Sequence, residues 1–398
     1  MLISKKISLI SPSATLAITA KAKKMKSEGI NVIGFGAGEP DFDTPINIKQ
    51  AAKKAIDNGF TKYTPASGIK ELKEAICGKL KKDNNLDYIP EEIIVSCGAK
   101  HSIFNAIMAL CNEEDEVIIP SPYWVSYPEM VKVTGAKSIF IKTTQDSDFK
   151  ITPQQLLEAI TPKTKLLILN SPSNPTGMVY TKEELLSLSK ILIEKNIFCI
   201  SDEIYEKIIY DNLEHISIAS FNSDIKKLTL VINGFSKSYS MTGWRLGYAA
   251  GPKEIIKAMS NLQGHSTSNP TSISQIAGVE ALNGSQENLK QMVKEFEKRR
   301  DYMVGKINST KHISVIKPQG AFYCFANISE IIGRILNGKI INNSLELTEL
   351  LLTDAKVAVI PGYVFGDDNF IRLSYANSME DITEGLNRIE KFINKITK

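Results

Sequence analysis

A lysine directly follows an apolar, strand-like segment, at a place where an ammonium group is poorly solvated. Residues 228–232 (LTLVI) lead into 233–237 (NGFSK), and Arg245 comes eight residues after Lys237. A lone lysine at a strand end is usually a surface residue. Here Ser236 and Arg245 add two groups that bind phosphate, and a lysine amine can attack an aldehyde. The segment therefore favours a ligand that has both an aldehyde and a phosphate.

An aspartate ends a second apolar segment, where 198–201 (FCIS) leads into 202–205 (DEIY). Asp202 has two interpretations. It caps a following helix, or it keeps a pyridine nitrogen protonated so that the ring accepts electrons from a carbanion. In the second interpretation Tyr205 points its hydroxyl at the oxygen on that ring. Pyridoxal 5′-phosphate (PLP) combines the aldehyde, the phosphate and the pyridine in one small molecule.

Two further loops follow apolar segments. In 170–177 (NSPSNPTG), the prolines and the glycine are ordinary turn residues, but they also fix the loop and direct the Asn174 amide. In 96–100 (SCGAK), Gly98 and Ala99 either form a plain strand–helix junction or let backbone N–H groups and a helix dipole bind a phosphate. For each loop, both alternatives remain open.

Arginine is scarce in this chain, with six arginines against 42 lysines. An arginine within a motif therefore points to a planar anion that needs a two-pronged grip. Arg372 lies in the middle of the apolar segment 370–375 (FIRLSY), and a buried arginine without an anion is very costly. Its partner is either a structural carboxylate or the α-carboxylate of an amino-acid substrate.

Short apolar segments alternate with amphipathic helical patterns between residues 90 and 290. Strands so apolar on both faces predict a parallel sheet covered by helices, hence an α/β fold. Such sheets bind ligands at the carboxyl ends of their strands, where the side chains described above fall. The expected strands are 93–96, 117–119, 166–169, 198–201, 228–232 and 246–250, and the helices include 102–110 and 183–195.

The pattern changes after a long charged helix at about 289–307. Mixed strands and helices beyond it predict a smaller α+β domain. We expect an N-terminal arm that contributes to the small domain (1–44), a large ligand-binding domain (45–290) and a small C-terminal domain (291–398). The expected strands of the small domain are 322–325, 357–360 and 370–374, and its helices are 345–352 and 379–393.

Composition argues against several classes of function. A formal net charge of +4 over 398 residues leaves no basic stripe for nucleic acid, and no apolar segment reaches membrane-spanning length. The four histidines lack metal-ligand spacing, so no metal site is expected. The five scattered cysteines indicate a reducing compartment, and Pro12 interrupts the apolar N-terminal stretch. We therefore expect a cytoplasmic protein.

Taken together, these motifs are similar to those of class I aminotransferases, which are PLP enzymes of fold type I. They specifically resemble the bacterial-type aspartate aminotransferase subgroup. The resemblance covers almost the whole chain and implies a mostly parallel seven-stranded sheet flanked by helices, a smaller α+β domain and a homodimer with shared active sites. The matching stretches are 12–17 (PSATLA), 37–45 (AGEPDFDTP), 62–65 (KYTP), 121–128 (SPYWVSYP), 174–177 (NPTG), 201–205 (SDEIY), 236–237 (SK), 241–245 (MTGWR) and 372–376 (RLSYA).

The resemblance also implies how PLP is bound. Lys237 forms a Schiff base with it and later moves the proton between the substrate and the cofactor. Asp202 pairs with the pyridine nitrogen, and Trp124 stacks on the ring. Tyr205 and Asn174 contact the ring hydroxyl oxygen.

The phosphate and substrate ends have their own implied residues. Ser236, Arg245 and the backbone of Gly98, Ala99 and Lys100 hold the phosphate, which Tyr63 reaches from the neighbouring subunit. Gly38 offers its backbone to the substrate carboxylate that Arg372 clamps, with Trp124 and Asn174 beside it. Ser13, Thr15 and Lys100 bind the distal carboxylate, although Ser13 and Thr15 serve equally well as helix caps.

The implied reaction is ping-pong transfer of the amino group from L-aspartate to 2-oxoglutarate, giving oxaloacetate and L-glutamate. Two alternatives use the same scaffold: aromatic or prephenate transamination, and β-elimination at a C–S bond. An alternative from another class is a non-catalytic PLP-binding domain of a transcription regulator. That alternative expects an N-terminal helix-turn-helix extension, and none precedes residue 30.

Overall fold

The computed structural model describes residues 3–12, 14–336 and 338–396. The α-helices are α1 (Lys5–Ser8), α2 (Ala14–Ser27), α3 (Ile46–Asp57), α4 (Lys70–Asn84), α5 (Ala99–Leu110), α6 (Ser126–Thr134), α7 (Pro153–Ala159), α8 (Lys182–Lys195), α9 (Ser223–Leu228), α10 (Lys253–Ser266), α11 (Ser272–Asn283), α12 (Glu287–Ser309), α13 (Ser344–Leu350) and α14 (Met379–Ile393). The strands are β1 (Ile33–Gly34), β2 (Ile93–Ser96), β3 (Glu116–Ser121), β4 (Lys137–Lys142), β5 (Thr164–Asn170), β6 (Phe198–Asp202), β7 (Thr229–Gly234), β8 (Gly247–Ala250), β9 (Tyr323–Asn327), β10 (Ile335–Leu336), β11 (Lys339–Ile340), β12 (Val357–Ala358), β13 (Ile360–Pro361) and β14 (Phe370–Ser374).

The main sheet of the described residues has seven strands in the order β2-β8-β7-β6-β5-β3-β4. Neighbouring side chains of β3 point to opposite faces, since Val117 and Ile119 pack into one apolar cluster and Ile118 packs into another. Helices cover both faces: α5 supplies Ile103 to the first cluster, and α8 supplies Leu188 to the second. Burial on both faces explains why the strand sequences are almost continuously apolar. The predicted α/β fold is confirmed.

Strand β8 is antiparallel to both of its neighbours, β2 and β7, and the other pairings in this sheet are parallel. Its amino end therefore lies at the same sheet edge as the carboxyl ends of the other strands. Arg245 lies two residues before Gly247, the first residue of β8. The reversal of this strand brings Arg245 to the edge where Lys237 follows β7 and Asp202 ends β6.

Strand β4 (KSIFIK) was not predicted. It lies at the edge of the sheet and is largely exposed, so it lacks the long apolar run that marks the central strands. Lysines at both of its ends are typical of an edge strand that must not pair with another chain. Phe140, on its exposed side, stacks on Tyr123 with ring centroids 4.9 Å apart.

A second sheet carries Arg372. Strand β14 lies between β13 and β9 and is antiparallel to both, with Arg372 opposite Ile360 and Phe325. The predicted segment 357–360 is divided between β12 and β13, and helix α13 ends in a π-helical turn at Leu351–Ala355. Strand β1 pairs in parallel with β12, which joins the N-terminal segment to the C-terminal part of the chain. The domain boundaries at residues 44 and 290 remain predictions.

Among the described residues, no helix is both long enough and apolar enough to span a lipid bilayer.

Candidate active site

Loops at the carboxyl edge of the main sheet enclose a cavity of about 420 Å³. Helix α2 and the three-stranded sheet β13-β14-β9, called the small sheet below, contribute to its other walls. The structure brings most of the predicted site residues to this one cavity. They are Thr15, Gly38, Ala99, Lys100, Trp124, Asn174, Asp202, Tyr205, Ser236, Lys237, Arg245 and Arg372.

The amine of Lys237 is enclosed in the cavity, and its Nζ donates to the carbonyl oxygen of Gly38. The pKa of Lys237 is lowered to about 8, mainly by burial. The positive charges of Arg372 and Arg245 also lower it, whereas nearby carboxylates raise it. An amine with this pKa is partly neutral at physiological pH. The neutral form is the one that attacks a carbonyl carbon or accepts a proton.

Asp202 is a buried carboxylate at the end of β6. The hydroxyl of Tyr127 donates to its Oδ2 over 2.6 Å, and the backbone N–H of Ile204 donates to Oδ1 over 3.3 Å. The pKa of Asp202 is raised to about 6, mainly by burial, and these two donors limit the rise. A turn, not a helix, follows Asp202, so the helix-cap interpretation is wrong for this residue. The geometry leaves a buried carboxylate available to a positively charged ligand.

Arg245 lies over the loop that follows β2. Its Nη1 donates to the Thr242 carbonyl over 2.9 Å and its Nη2 donates to the Cys97 carbonyl over 3.3 Å. Gly98 has a φ of +93°, and a Cβ at this position would lie 2.6 Å from Nη2 of Arg245. Only glycine therefore provides both the backbone conformation and the space that this contact needs.

Helix α5 begins at Ala99 and points its amino end toward the same region. Gly98 stands at the cap position and has no side chain to cap this end. The N–H groups of His101 and Ser102 donate to the Gly98 carbonyl, so those of Ala99 and Lys100, with the helix dipole, are the ones that face an anion. Ser236 and Arg245 line the cavity together with Ala99 and Lys100. The hydroxyl of Ser236, the guanidinium of Arg245 and the amino end of α5 thus support the interpretation of residues 96–100 as part of an anion site.

The guanidinium of Arg372 is almost completely buried. Its Nη1 donates to Oδ1 of Asn174 over 3.0 Å and its Nη2 donates to the Gly36 carbonyl over 2.9 Å, while the rings of Tyr323 and Phe365 flank it. Within the described ranges, its Nε has no partner and no carboxylate forms a salt bridge with it. A buried cation without a carboxylate partner is costly. This supports the interpretation in which Arg372 binds an external anion, and not a structural carboxylate.

Aromatic residues form the remaining walls. Trp124 is half-buried beside the cavity and meets Tyr127 edge-to-face, with ring centroids 5.3 Å apart. The Nζ of Lys100 lies 4.8 Å from the Trp124 ring centroid, and partial burial together with Arg245 lowers the pKa of Lys100. Tyr205 is buried, and its hydroxyl lies 2.9 Å from that of Tyr323.

Two predicted residues of the described part of the chain, Gly98 and Tyr63, do not line this cavity. Gly98 lies behind its wall, in contact with Arg245, and Tyr63 is 91% exposed. The position of Tyr63 agrees with a side chain that reaches a neighbouring subunit. Thr15 lines the cavity from α2, and Ser13 lies outside the described residues. The roles of all these residues remain predictions.

Comparison with known proteins supplies the family. The family model described as aminotransferase class I and II matches residues 30–389. The chain belongs to this family. An aspartate aminotransferase of Bacillus sp. (strain YM-2) is 52% identical over 98% of this chain and 99% of its own, and a probable aspartate/prephenate aminotransferase of Rickettsia bellii is 50% identical over 98% of both. The crystal structure of the aspartate aminotransferase from Rhizobium meliloti superposes with a TM-score of 0.96 at 44% identity, over 100% of both chains.

The predictions that this chain is an enzyme and an aminotransferase are thereby confirmed. The structure of this aminotransferase also shows residues that the sequence analysis missed. Tyr127 lies in a matching stretch but was given no role, and Tyr323 was seen only as part of an expected strand. Thr19 and Lys23 line the cavity four and eight residues after Thr15, on the same face of α2. The helical spacing of these three residues was the available signal.

Proposed function

We propose that this aminotransferase uses PLP to transfer the amino group of L-aspartate to 2-oxoglutarate in a ping-pong reaction. One observation carries the proposal. The amine of Lys237, the carboxylate of Asp202 and the guanidinium of Arg372 come from separate strands and loops and line one cavity. The names of the Bacillus and Rhizobium relatives support aspartate as the amino donor.

The residues of the cavity fit PLP. Arg245, Ser236 and the amino end of α5 would hold the phosphate, and a Cβ at position 98 would displace the Arg245 guanidinium from its contact with this loop. Asp202 would pair with the pyridine nitrogen, and Trp124 would cover one face of the ring. Bound PLP supplies the aldehyde for the covalent bond to Lys237 and the electron sink for a substrate carbanion.

The proton transfers fall to Lys237. Its neutral amine would take the proton from the substrate Cα and return it on the cofactor side. The hydrogen bond from Tyr127 orients Asp202 and favours its ionised form. The carboxylate would then face a positively charged ring. The amino group remains in the site between the two half-reactions, which is why ping-pong kinetics are expected.

The substrate end of the cavity has two sets of contacts. Arg372 would clamp the α-carboxylate, and Gly38 would offer its backbone to it. Because the amide oxygen of Asn174 accepts from Arg372, its NH₂ group is the end left to donate to the cofactor's ring oxygen. Lys100 and Thr15, with Ser13 from outside the described residues, would bind the distal carboxylate.

Prephenate transamination is the second candidate. The Rickettsia bellii relative, which is named a probable aspartate/prephenate aminotransferase, covers this chain at nearly the same identity as the Bacillus relative. Prephenate has two carboxylates, so the cationic side chains of Arg372 and Lys100 could serve both substrates.

We further propose a cytoplasmic homodimer with shared sites. Cys77, Cys97, Cys111, Cys199 and Cys324 are free cysteines among the described residues, which fits a reducing compartment. The exposed side chain of Tyr63 supports a role at the phosphate of a partner subunit.

The test of the proposed function is spectroscopic. We expect the PLP-loaded protein to absorb visible light and to change its spectrum on addition of L-aspartate or L-glutamate. The original spectrum should return when 2-oxoglutarate takes up the amino group, with prephenate compared as acceptor. The Lys237→Ala variant should lose this absorption and nearly all turnover, whereas Lys290→Ala, at an exposed site on α12, should lose neither. A Lys237→Ala protein that kept both would refute the lysine assignment.

The same experiment separates the two arginines. Arg372→Lys should keep the visible absorption but lose roughly tenfold to a hundredfold in kcat/KM for aspartate, since one hydrogen bond to a charged group contributes about 1.5–3 kcal/mol. Arg388→Lys, whose arginine pairs with Glu384 on the surface of α14, is the matched control. If Arg372→Lys released the cofactor, the assignment of this arginine to the substrate would be wrong.

A further inference from the structure

The hydroxyl of Tyr323 occupies a defined position beside the predicted ring-contacting tyrosine. It lies 2.9 Å from the hydroxyl of Tyr205, and both side chains are buried. A Cβ built on Gly38 would lie 2.8 Å from the same hydroxyl, so the backbone of Gly38 packs against it from another side. The first residue of β9 is thus held by the small sheet with its hydroxyl directed at the main-sheet site.

The direction of the hydrogen bond follows from the role proposed for Tyr205. A tyrosine hydroxyl has one hydrogen to donate. If Tyr205 donates that hydrogen to the ring oxygen of PLP, its own oxygen must accept the hydrogen of Tyr323. The result is a chain of two donors that ends on the cofactor. In such chains each bond polarises and strengthens the next one.

The surroundings keep Tyr323 protonated and make it a good donor. Burial raises the pKa of Tyr323, so the hydroxyl retains its hydrogen, while the positive charge of Arg372 acts in the opposite direction and strengthens the donor. The Arg372 guanidinium lies 4.3 Å from the Tyr323 ring centroid. Two other charged groups face Tyr205. They are the carboxylate of Asp202 and the Nζ of Lys237, which lies 5.9 Å from the Tyr205 ring centroid.

We propose that Tyr323 is a positioning residue, which donates a hydrogen bond to Tyr205 and thereby fixes Tyr205 as a donor to the ring oxygen of PLP. The inference rests on the proposed function. It assigns to the small sheet a part in tuning the cofactor, beyond the grip of Arg372 on the substrate.

A spectroscopic titration tests the inference. We expect the visible absorption of the PLP-bound enzyme to change with pH, because its deprotonated form would carry negative charge on the ring oxygen, which a donor stabilises. Tyr205→Phe should therefore raise the midpoint of this titration. Tyr323→Phe should raise it by roughly a tenth to a third of that shift, as expected for the loss of cooperative strengthening. In the Tyr205→Phe background, Tyr323→Phe should cause no further shift.

Tyr180→Phe is the matched control, because it also removes a buried hydroxyl, one that accepts from the Ile151 N–H over 3.0 Å and does not line the cavity. Its titration midpoint should equal that of the unmodified protein. An unchanged midpoint in Tyr323→Phe, or shifts that add in the double variant, would overturn the inference and leave the proposed function intact. A wild-type protein that never becomes coloured with PLP would instead overturn the proposed function.

Discussion

The amine of Lys237 experiences opposing influences at the scale of a single residue. Burial and the two arginines favour its neutral form, and the carboxylates of Glu39 and Asp202 favour its charged form. The balance lowers its pKa to about 8 from 10.5. This matters before any substrate arrives, because only the neutral amine can attack the aldehyde of PLP.

The pH dependence of cofactor uptake is therefore predictable. Because the pKa is lowered, the neutral fraction of Lys237 is large above pH 8 and falls about tenfold for each pH unit below it. The rate at which apoenzyme gains visible absorption with PLP should follow this fraction, with a midpoint near pH 8. Stopped-flow absorbance between pH 6.5 and 10.5 measures it.

The arginines provide an internal control for this prediction. Replacing Arg372 by methionine removes a nearby positive charge, so the midpoint should move upward, whereas Arg388→Met should leave it in place. A midpoint near 10.5 in the unmodified protein would mean that Lys237 is solvated in solution.

Two buried arginines show what distinguishes a site residue from a structural one. Arg300 is fully buried and forms salt bridges with Asp211, Glu297 and Asp301. Arg372 is buried to a similar extent without a carboxylate partner among the described residues. The scarcity of arginine in the sequence pointed to Arg372 and left its partner open, and the tertiary structure shows that its surroundings differ from those of Arg300.

At the scale of elements, the strand ends were predictable from the sequence. The apolar runs that end at Ser96, Ser201 and Ile232 are visible without a structure, because strands buried on both faces must be apolar throughout. Strand β2 ends where predicted, and β6 and β7 end one and two residues later than predicted. A parallel sheet then brings their carboxyl ends to one edge. Lys237 and Asp202 could therefore be assigned to one site before their distance was known.

The hydroxyl partners of these residues could not be predicted in the same way. Tyr127 is 75 positions from Asp202, and Tyr323 is 118 positions from Tyr205. No periodicity links such pairs, because their contacts depend on how α6 and β9 pack against the main sheet. The edge strand β4 was missed for a different reason, since its exposed side chains remove the apolar signal.

The junction between β2 and α5 gives a prediction at this scale. Gly98→Ala introduces a Cβ that overlaps Arg245 and that disfavours the backbone conformation of φ 93° and ψ 159°, at a cost of roughly 1–3 kcal/mol from the backbone alone. We expect PLP to bind at least about tenfold more weakly, because about 1.4 kcal/mol corresponds to a factor of ten. Equilibrium titration of the apoenzyme by tryptophan fluorescence would measure the affinity.

Gly78→Ala serves as the matched variant. Gly78 lies within α4, and a Cβ there meets no atom within 4 Å, so alanine should preserve PLP affinity and stabilise the helix slightly. Equal affinities for Gly98→Ala and Gly78→Ala would show that the phosphate does not depend on the loop at 96–100.

At the scale of the whole molecule, the loop that bears Tyr63 is held by hydrogen bonds between its backbone and buried side chains. Two glutamines with no exposed surface hold it: Gln263 donates to the Ala66 carbonyl over 2.6 Å, and Gln275 accepts from the Ile69 N–H over 2.8 Å. Gln263 also donates to the carbonyl of Val95 in β2. The loop is thus tied to the strand that leads to the predicted phosphate site, while Tyr63 itself projects outward.

Hybrid dimers would test whether the sites are shared. Tyr63→Phe homodimers should bind PLP roughly tenfold or more weakly, because each phosphate loses a hydrogen bond to a charged group. A heterodimer of one Tyr63→Phe chain and one Lys237→Ala chain has a single coloured site, whose lysine comes from the first chain and whose tyrosine comes from the second. That site should bind PLP with wild-type affinity.

The outcome is read from PLP titrations of differently tagged, co-purified chains. Weak binding in the heterodimer would mean that Tyr63 acts within its own subunit. Undiminished binding in the Tyr63→Phe homodimer would mean that Tyr63 does not contribute to holding PLP. Tyr302→Phe, on the exposed side of α12, should leave the affinity of homodimers unchanged.

The separation of the two sheets has a consequence for how such an enzyme acquires new substrates. Lys237, Asp202 and Arg245 are anchored by the seven-stranded sheet, and Arg372 and Tyr323 by the three-stranded one, with α2 closing the cavity above both. Laboratory evolution toward other amino donors should therefore accumulate changes along α2, β9 and β14 and spare the loops after β2, β6 and β7. Asn174 follows β5 of the main sheet, and its amide accepts a hydrogen bond from Arg372 of the three-stranded sheet. A change at Asn174 that improves the use of a new amino donor should therefore also alter cofactor binding.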